Sequence, residues 1–88
     1  MIIWTDYMNY RLQLRGFDYN EVEKVIKYTP ERYFDTSTGR QIAVGNHKKL
    51  LVMIPYEQNG SDITPVTIHA TSRHQINLRL KSGRYKNE

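Results

Sequence analysis

The sequence predicts an α+β domain: two N-terminal helices packed on an antiparallel sheet of four to five strands, with a C-terminal helix after the sheet. Three observations carry that prediction. Helix-capping signals occur early, in "FDYNEV", and again late, in "SRHQ". Between them the apolar residues change from a period of 3.6 to a period of two. The chain of 88 residues is long enough for one modest core and too short for two. The resulting order, β-α-α-β-β-β-β-α, segregates helices from strands as α+β domains do.

The first element is "IIWT" (2–5), short, apolar and β-prone, which reads as an opening strand. Thr5 or Asp6 can cap a helix over "YMNYRLQLR", with Met8 and Leu12 one turn apart. Gly16 suits the position after that helix, because glycine enters the left-handed conformation at little cost. In "FDYNEV" Asp18 and Glu21 have capping-box spacing, and Phe17 and Val22 occupy the staple positions. The second helix therefore starts at Asp18 and buries Val22, Val25 and Ile26. Thr29-Pro30 ends it, since proline disfavours helix in the residue before it.

A strand near 32–36, a turn at "TSTG" and a strand near 40–45 come next. A polar turn at 46–49 leads into "LLVMIPYE" (50–57), an almost unbroken apolar run that belongs in the middle of a sheet. The loop at 58–62 contains Asn-Gly, and a further strand covers 64–71 with Pro65 at its tolerated start. In that strand Val66, Ile68 and Ala70 alternate with Thr67, His69 and Thr71. Ser72 and Gln75 form a second capping box, Ile76 and Leu80 face the core, and Ser82-Gly83 stop the helix.

Composition narrows the function classes. With 39% apolar residues and seven tyrosines the chain is a folded domain, not a disordered one. It has no cysteine, which excludes disulfides and thiolate metal sites and fits a reducing, cytoplasmic setting. The N-terminal residues lack the basic lead and apolar core of a signal peptide. No apolar run approaches the ~20 residues that span a bilayer, so no membrane partner is expected. His47, His69 and His74 lack ligand spacing, so neither a metal nor another cofactor is expected. No Ser stands in a nucleophile elbow, "GRQIAVG" is not a phosphate loop, and the carboxylates are dispersed.

The charge is uneven. Residues 1–68 hold eight Lys/Arg against eight Asp/Glu, whereas residues 69–88 hold five against one. The net charge of +4 thus lies in the last twenty residues, which suggests a polyanionic partner, nucleic acid or an acidic protein. A solubilising tail would produce the same asymmetry. Arg11 and Arg15 lie four apart on one helix face, where like charges repel unless solvated or turned to an anion. Arg73 opens the last helix beside backbone amides that favour anions, and His69 lies just before it. The alternative for Arg73 is one half of a structural salt bridge, and the helix start tilts the reading toward the anion site. Metal-free cleavage of RNA needs the 2′-OH deprotonated, the phosphate charge stabilised and the leaving oxygen protonated; Arg, Lys, His and Tyr can supply all three.

The succession "IIW…YRLQLRGFD…VEKVI…TGRQIAVG…LLVMIPY…VTIHATSRHQINLRL" resembles the BrnT toxins, within the wider RelE/ParE-like group of toxin–antitoxin ribonucleases. The likeness spans roughly residues 2–80. It rests on a Trp-ending first strand, Arg15-Gly16 closing the first helix, the "GR-x-I-A-V-G" strand and an Ala-x-Ser-Arg helix start. The resemblance implies a cofactor-independent mRNA endoribonuclease, acting freely or on the ribosome and neutralised by a partner antitoxin. The family's motif falls on His69, Thr71, Ser72, Arg73 and Gln75, and its basic, aromatic end on Arg84 and Tyr85. Together with the basic residues read above, this makes His69, Arg73, Arg79 and Tyr85 the catalytic candidates, and Arg11, Arg15, Gln75, Lys81 and Arg84 the RNA- or anion-binding ones. Gln75 and His69 stand where the family usually has an acid and an Arg, and Arg15 where it usually has a His. A neutral Gln cannot act as a general base, so the alternative is a non-catalytic module of the same fold that binds nucleic acid or protein.

Overall fold

In the computed structural model, which describes residues 1–87, the chain forms three helices and a six-stranded antiparallel sheet. In chain order these are α1 (Asp6–Arg15), α2 (Tyr19–Tyr28), β1 (Arg32–Asp35), β2 (Arg40–His47), β3 (Leu50–Asn59), β4 (Asp62–Pro65), β5 (His69–Ala70), α3 (Arg73–Lys81) and β6 (Tyr85–Asn87). The strand order is β4-β3-β2-β1-β6, with β5 pairing β3 further along the edge that β4 occupies.

The helix termini are held by the residues the sequence singled out, but in both predicted capping boxes the reciprocal side chain has another partner. Thr5 caps α1, its Oγ1 accepting from Met8 N at 3.1 Å. Gly16 closes α1 at φ 68°, and Phe17 N returns to Leu12 O at 2.9 Å. Asp18 Oδ1 accepts from Asn20 N and Glu21 N at 2.8 and 3.3 Å. The reciprocal half of that capping box is absent, because Glu21 pairs with Lys24 and the buried His47 takes Asp18 N on its Nε2 at 2.7 Å. At α3, Ser72 Oγ accepts from Gln75 N at 3.2 Å, and Gln75 Oε1 accepts from the Thr71 hydroxyl at 3.0 Å.

Alternation in β2 and β3 gives the sheet two apolar faces. Ala43, Val52, Ile54 and Tyr56 pack with Met8 and Leu12 of α1 and with Val22, Val25 and Ile26 of α2. On the opposite face Ile42, Val44 and Met53 pack with Tyr33, Tyr85 and Ile76 of α3. The sheet is thus covered by α1 and α2 on one side and by the shorter α3 on the other. Gly45 lets α2 approach closely, since a Cβ there would lie 2.9 Å from Val25 Cγ1.

Three sequence expectations are corrected. Residues 2–5 form no ladder strand; Ile2 makes an isolated parallel bridge to Ile63, so the sheet does not open there. The strand over 64–71 is two strands. Tyr56 pairs with Pro65, yet Met53 pairs with His69, so three steps along β3 answer four on the other chain segment. That extra residue is a β-bulge, and it falls opposite Pro55, which has no N–H to give to the ladder. Finally, the chain after Gly83 is no free tail: Tyr85–Asn87 pair with β1 as β6, bringing the sheet to six strands.

Candidate functional site

Because α3 is only nine residues long and lies over the β6–β1 end, the rest of that sheet face stays open. A cleft of about 480 Å³ occupies the uncovered part. Met53 and Pro55 of β3 form its floor; the bulged segment from Val66 to Ala70 forms one wall, and Gln75 and Arg79 of α3 form another. The β1–β2 hairpin closes it with Asp35, Thr38 and Arg40, and Arg84 enters from the turn before β6. The bulge matters here, because it puts Val66, Thr67 and His69 along one wall while Ile68 stays in the opposite core.

Three arginines face one aspartate across this space. Arg84 grips Asp35 with two parallel bonds, Nε to Oδ1 and Nη2 to Oδ2, both 3.2 Å. Asp35 is 2% exposed and also accepts from Ser37 N at 2.9 Å. Burial alone would raise its pKa, but the Arg84 hydrogen bond, the Ser37 amide and the Arg84 charge outweigh it and hold the carboxyl below its ordinary value. Arg79 has no carboxylate partner among the described residues. Its guanidinium lies 5.5 Å from the Tyr85 ring centroid and donates to Met53 Sδ at 3.4 Å. Arg40 Nε stands 3.9 Å from Glu57, and that buried Nε and the Thr67 hydroxyl have no hydrogen-bond partner among the described residues.

His69 joins the cleft to α1. Arg11 Nη2 donates to His69 Nδ1 at 2.9 Å and to Ile68 O at 3.3 Å. A guanidinium can only donate, so Nδ1 accepts and the remaining ring hydrogen sits on Nε2. Desolvation by burial is the largest cause lowering the His69 pKa, and the charges of Arg11, Arg15 and Arg79 push it the same way. The imidazole is held neutral, as a hydrogen-bond donor. Gln75 contributes similarly: its oxygen is taken by Thr71, which leaves the amide hydrogens as donors.

Of the residues proposed from sequence, His69, Gln75, Arg79 and Arg84 line the cleft together, and Arg11 reaches it through His69. Arg15 is near enough to shift His69, and Lys81 lies on the exposed side of α3. Arg73 is elsewhere. Its Nη1 donates to Glu31 Oε2 at 2.6 Å, and the Tyr33 hydroxyl donates to the same oxygen at 2.6 Å. Burial pushes Glu31 up, but the bonds from Arg73 and Tyr33 outweigh it and lower its pKa; Tyr33 is pushed up to about 12. Tyr85 is 2% exposed, packed beneath Arg79, with its hydroxyl on Met53 Sδ and its pKa raised by burial.

Sequence reasoning missed Arg40, Thr38, Asp35 and Thr67. For Arg40 a signal existed: it precedes Ile42 and Val44 at the two-residue spacing that puts all three on one face. For Thr67 a signal existed too, since it alternates with Ile68 and shares a face with His69; Val66 is the residue that departs from that alternation and joins them at the wall. Neither a protein-family model, nor a curated protein, nor a solved structure matches this chain.

Proposed function

We propose that the chain binds RNA through the phosphodiester backbone, as a toxin-type domain of RelE/BrnT-like architecture, with the cleft beside α3 as the contact site. The observation that carries this reading is the convergence of Arg40, Arg79 and Arg84 on a space whose single carboxylate is already engaged by Arg84. Neutral donors surround them: His69 Nε2, the Gln75 amide and the Thr67 hydroxyl. Such a set suits phosphate oxygens, which accept several hydrogen bonds and favour guanidinium. A polymer is favoured over a small anion because the cations continue past His69 to Arg11 and Arg15. The two helices ahead of the sheet fit the RelE/BrnT-like part of the reading, whereas the missing first strand and α3 after β5 depart from it.

Cleavage of the bound strand is the stronger form of the proposal. Arg79 and Arg40 would stabilise the phosphate charge. The 2′-OH would need a base, and the His69 Nδ1 lone pair is occupied by Arg11. Gln75 cannot take a proton, and Tyr85 is buried. These contacts favour the second reading, a module of the same fold that binds nucleic acid without turning it over. Labelled RNA incubated with the protein, with and without translating ribosomes, separates the two. Binding without products supports the module; products that vanish in Arg79→Ala support the ribonuclease. Absence of binding even at low salt overturns both. A toxin-type domain would also co-purify with its antitoxin when the neighbouring gene is co-expressed.

A further inference from the structure

The helix α1 carries two faces. Met8 and Leu12 are buried against the sheet, yet Tyr7, Tyr10 and Leu14 are 55%, 60% and 59% exposed. Those three follow one another at spacings of three and four, so they form a single stripe along the helix. Arg11 and Arg15 lie on the flank of that stripe, and Arg11 is the residue that holds His69 at the cleft wall. An apolar and aromatic stripe in water is unusual on a small domain, and here it runs directly beside cations leading into a cationic cleft.

We infer that Tyr7 and Tyr10 form a base-stacking platform for single-stranded RNA, whose backbone passes Arg11 and Arg15 into the cleft. The inference rests on the RNA-binding reading above and sharpens it to one substrate class. Charge decides the occupant. Asp6, the acidic residue of α1, flanks the stripe on the side away from the arginines, and Arg11 and Arg15 would repel a second copy of this basic chain. Every base has a π-face, so tyrosines select unpaired strands without selecting sequence, while arginines follow the phosphates. A duplex hides its base faces in its own stack and would meet only the cations.

The experiment compares wild type, Tyr7→Ala/Tyr10→Ala, Tyr7→Phe/Tyr10→Phe and Arg79→Ala by fluorescence anisotropy. The probes are a mixed-sequence single-stranded RNA of about 12 nucleotides, the same sequence as a duplex, and inorganic polyphosphate. The alanine pair is expected to weaken single-strand binding by roughly tenfold or more and to leave polyphosphate binding unchanged. The phenylalanine pair keeps the rings and should bind like wild type; Arg79→Ala should weaken both probes. Unchanged single-strand binding in the alanine pair, with Arg79→Ala still impaired, overturns the platform and leaves the cleft standing. Equal loss on polyphosphate also overturns it, since bases are then not involved. A changed monomer–dimer equilibrium with unaltered RNA affinity would mark the stripe as a contact between copies and overturn it. Failure of wild type to bind RNA overturns the platform and the cleft together.

Discussion

Arg73 and Arg79 lie on the same helix and have opposite surroundings. Arg73 is spent on Glu31 at 2.6 Å, whereas Arg79 rests on the Tyr85 ring and a thioether with no carboxylate partner among the described residues. Arg73→Ala is therefore expected to lower stability by at most about 1 kcal/mol, as for a solvent-exposed ion pair, and to leave RNA affinity nearly unchanged. Arg79→Ala should also change the melting temperature little, but with a clear loss of RNA affinity. Thermal melts and anisotropy on both variants check this, and a larger RNA defect in Arg73→Ala would return the site to the helix start. Asp35 is the residue on which the cleft geometry hangs. Asp35→Asn keeps the shape but removes the charge that orients Arg84, and should cost about 1–3 kcal/mol in denaturant unfolding.

Among the elements, β2 and α2 approach each other closely at Gly45. Gly45→Ala would push a methyl against Val25 Cγ1 and Cγ2, at 2.9 and 3.2 Å, and Val25 is a stiff β-branched side chain in a helix. The expected cost is about 1–3 kcal/mol, and Val25→Ala in the same chain should return part of it, as a coupled pair does in a double-mutant cycle. β6 is held by Tyr85, so Tyr85→Ala should cost about 3–5 kcal/mol, whereas Tyr85→Phe should be nearly silent. Such asymmetry marks a core residue and would not be seen for an exposed catalytic phenol. These elements also show how far the sequence could be read. Thr5, Gly16, Asp18 and Ser72 announce their helix ends because capping is local chemistry. The split of the 64–71 strand was not legible, because the residue it falls opposite, Pro55, lies on the neighbouring strand. The same holds for β6: "GRY" carries the charge of a tail, and only the β1 edge makes it a strand. The cleft followed this pattern. His69, Gln75, Arg79 and Arg84 were visible as a basic cluster, but Arg40 and Asp35 join them only through the hairpin register Asp35↔Arg40.

For the whole molecule, protonation links stability to the site. The native pKa of His69 is lowered by burial and by Arg11, Arg15 and Arg79, so below its unfolded value of about 6.5 the unfolded chain takes up the proton first. Glu31 and Asp35 are lowered from 4.5 and 3.8, which has the same sign at lower pH. Stability linked to the three is complete above about pH 6.5 and is lost as pH falls, first through His69 and then through the two carboxylates. Melting temperatures across this range should fall on acidification, with His69→Asn abolishing the part nearest neutrality; a rise on acidification would contradict the ion-pair geometry. No helix among the described residues is long and apolar enough to cross a membrane, and no three His, Asp or Glu gather as metal ligands. On the proposed RNA-binding reading, Arg40, Arg79 and Arg84 around the cleft are the cations that meet phosphate. The measurement that tests this most directly is RNA affinity against salt for wild type, Arg73→Ala and Arg79→Ala. Removing one cation from a phosphate should flatten the log–log slope by about 0.7 for a single strand. A flatter slope in Arg79→Ala and an unchanged one in Arg73→Ala is the result the cleft predicts; identical slopes and affinities in all three proteins would contradict it.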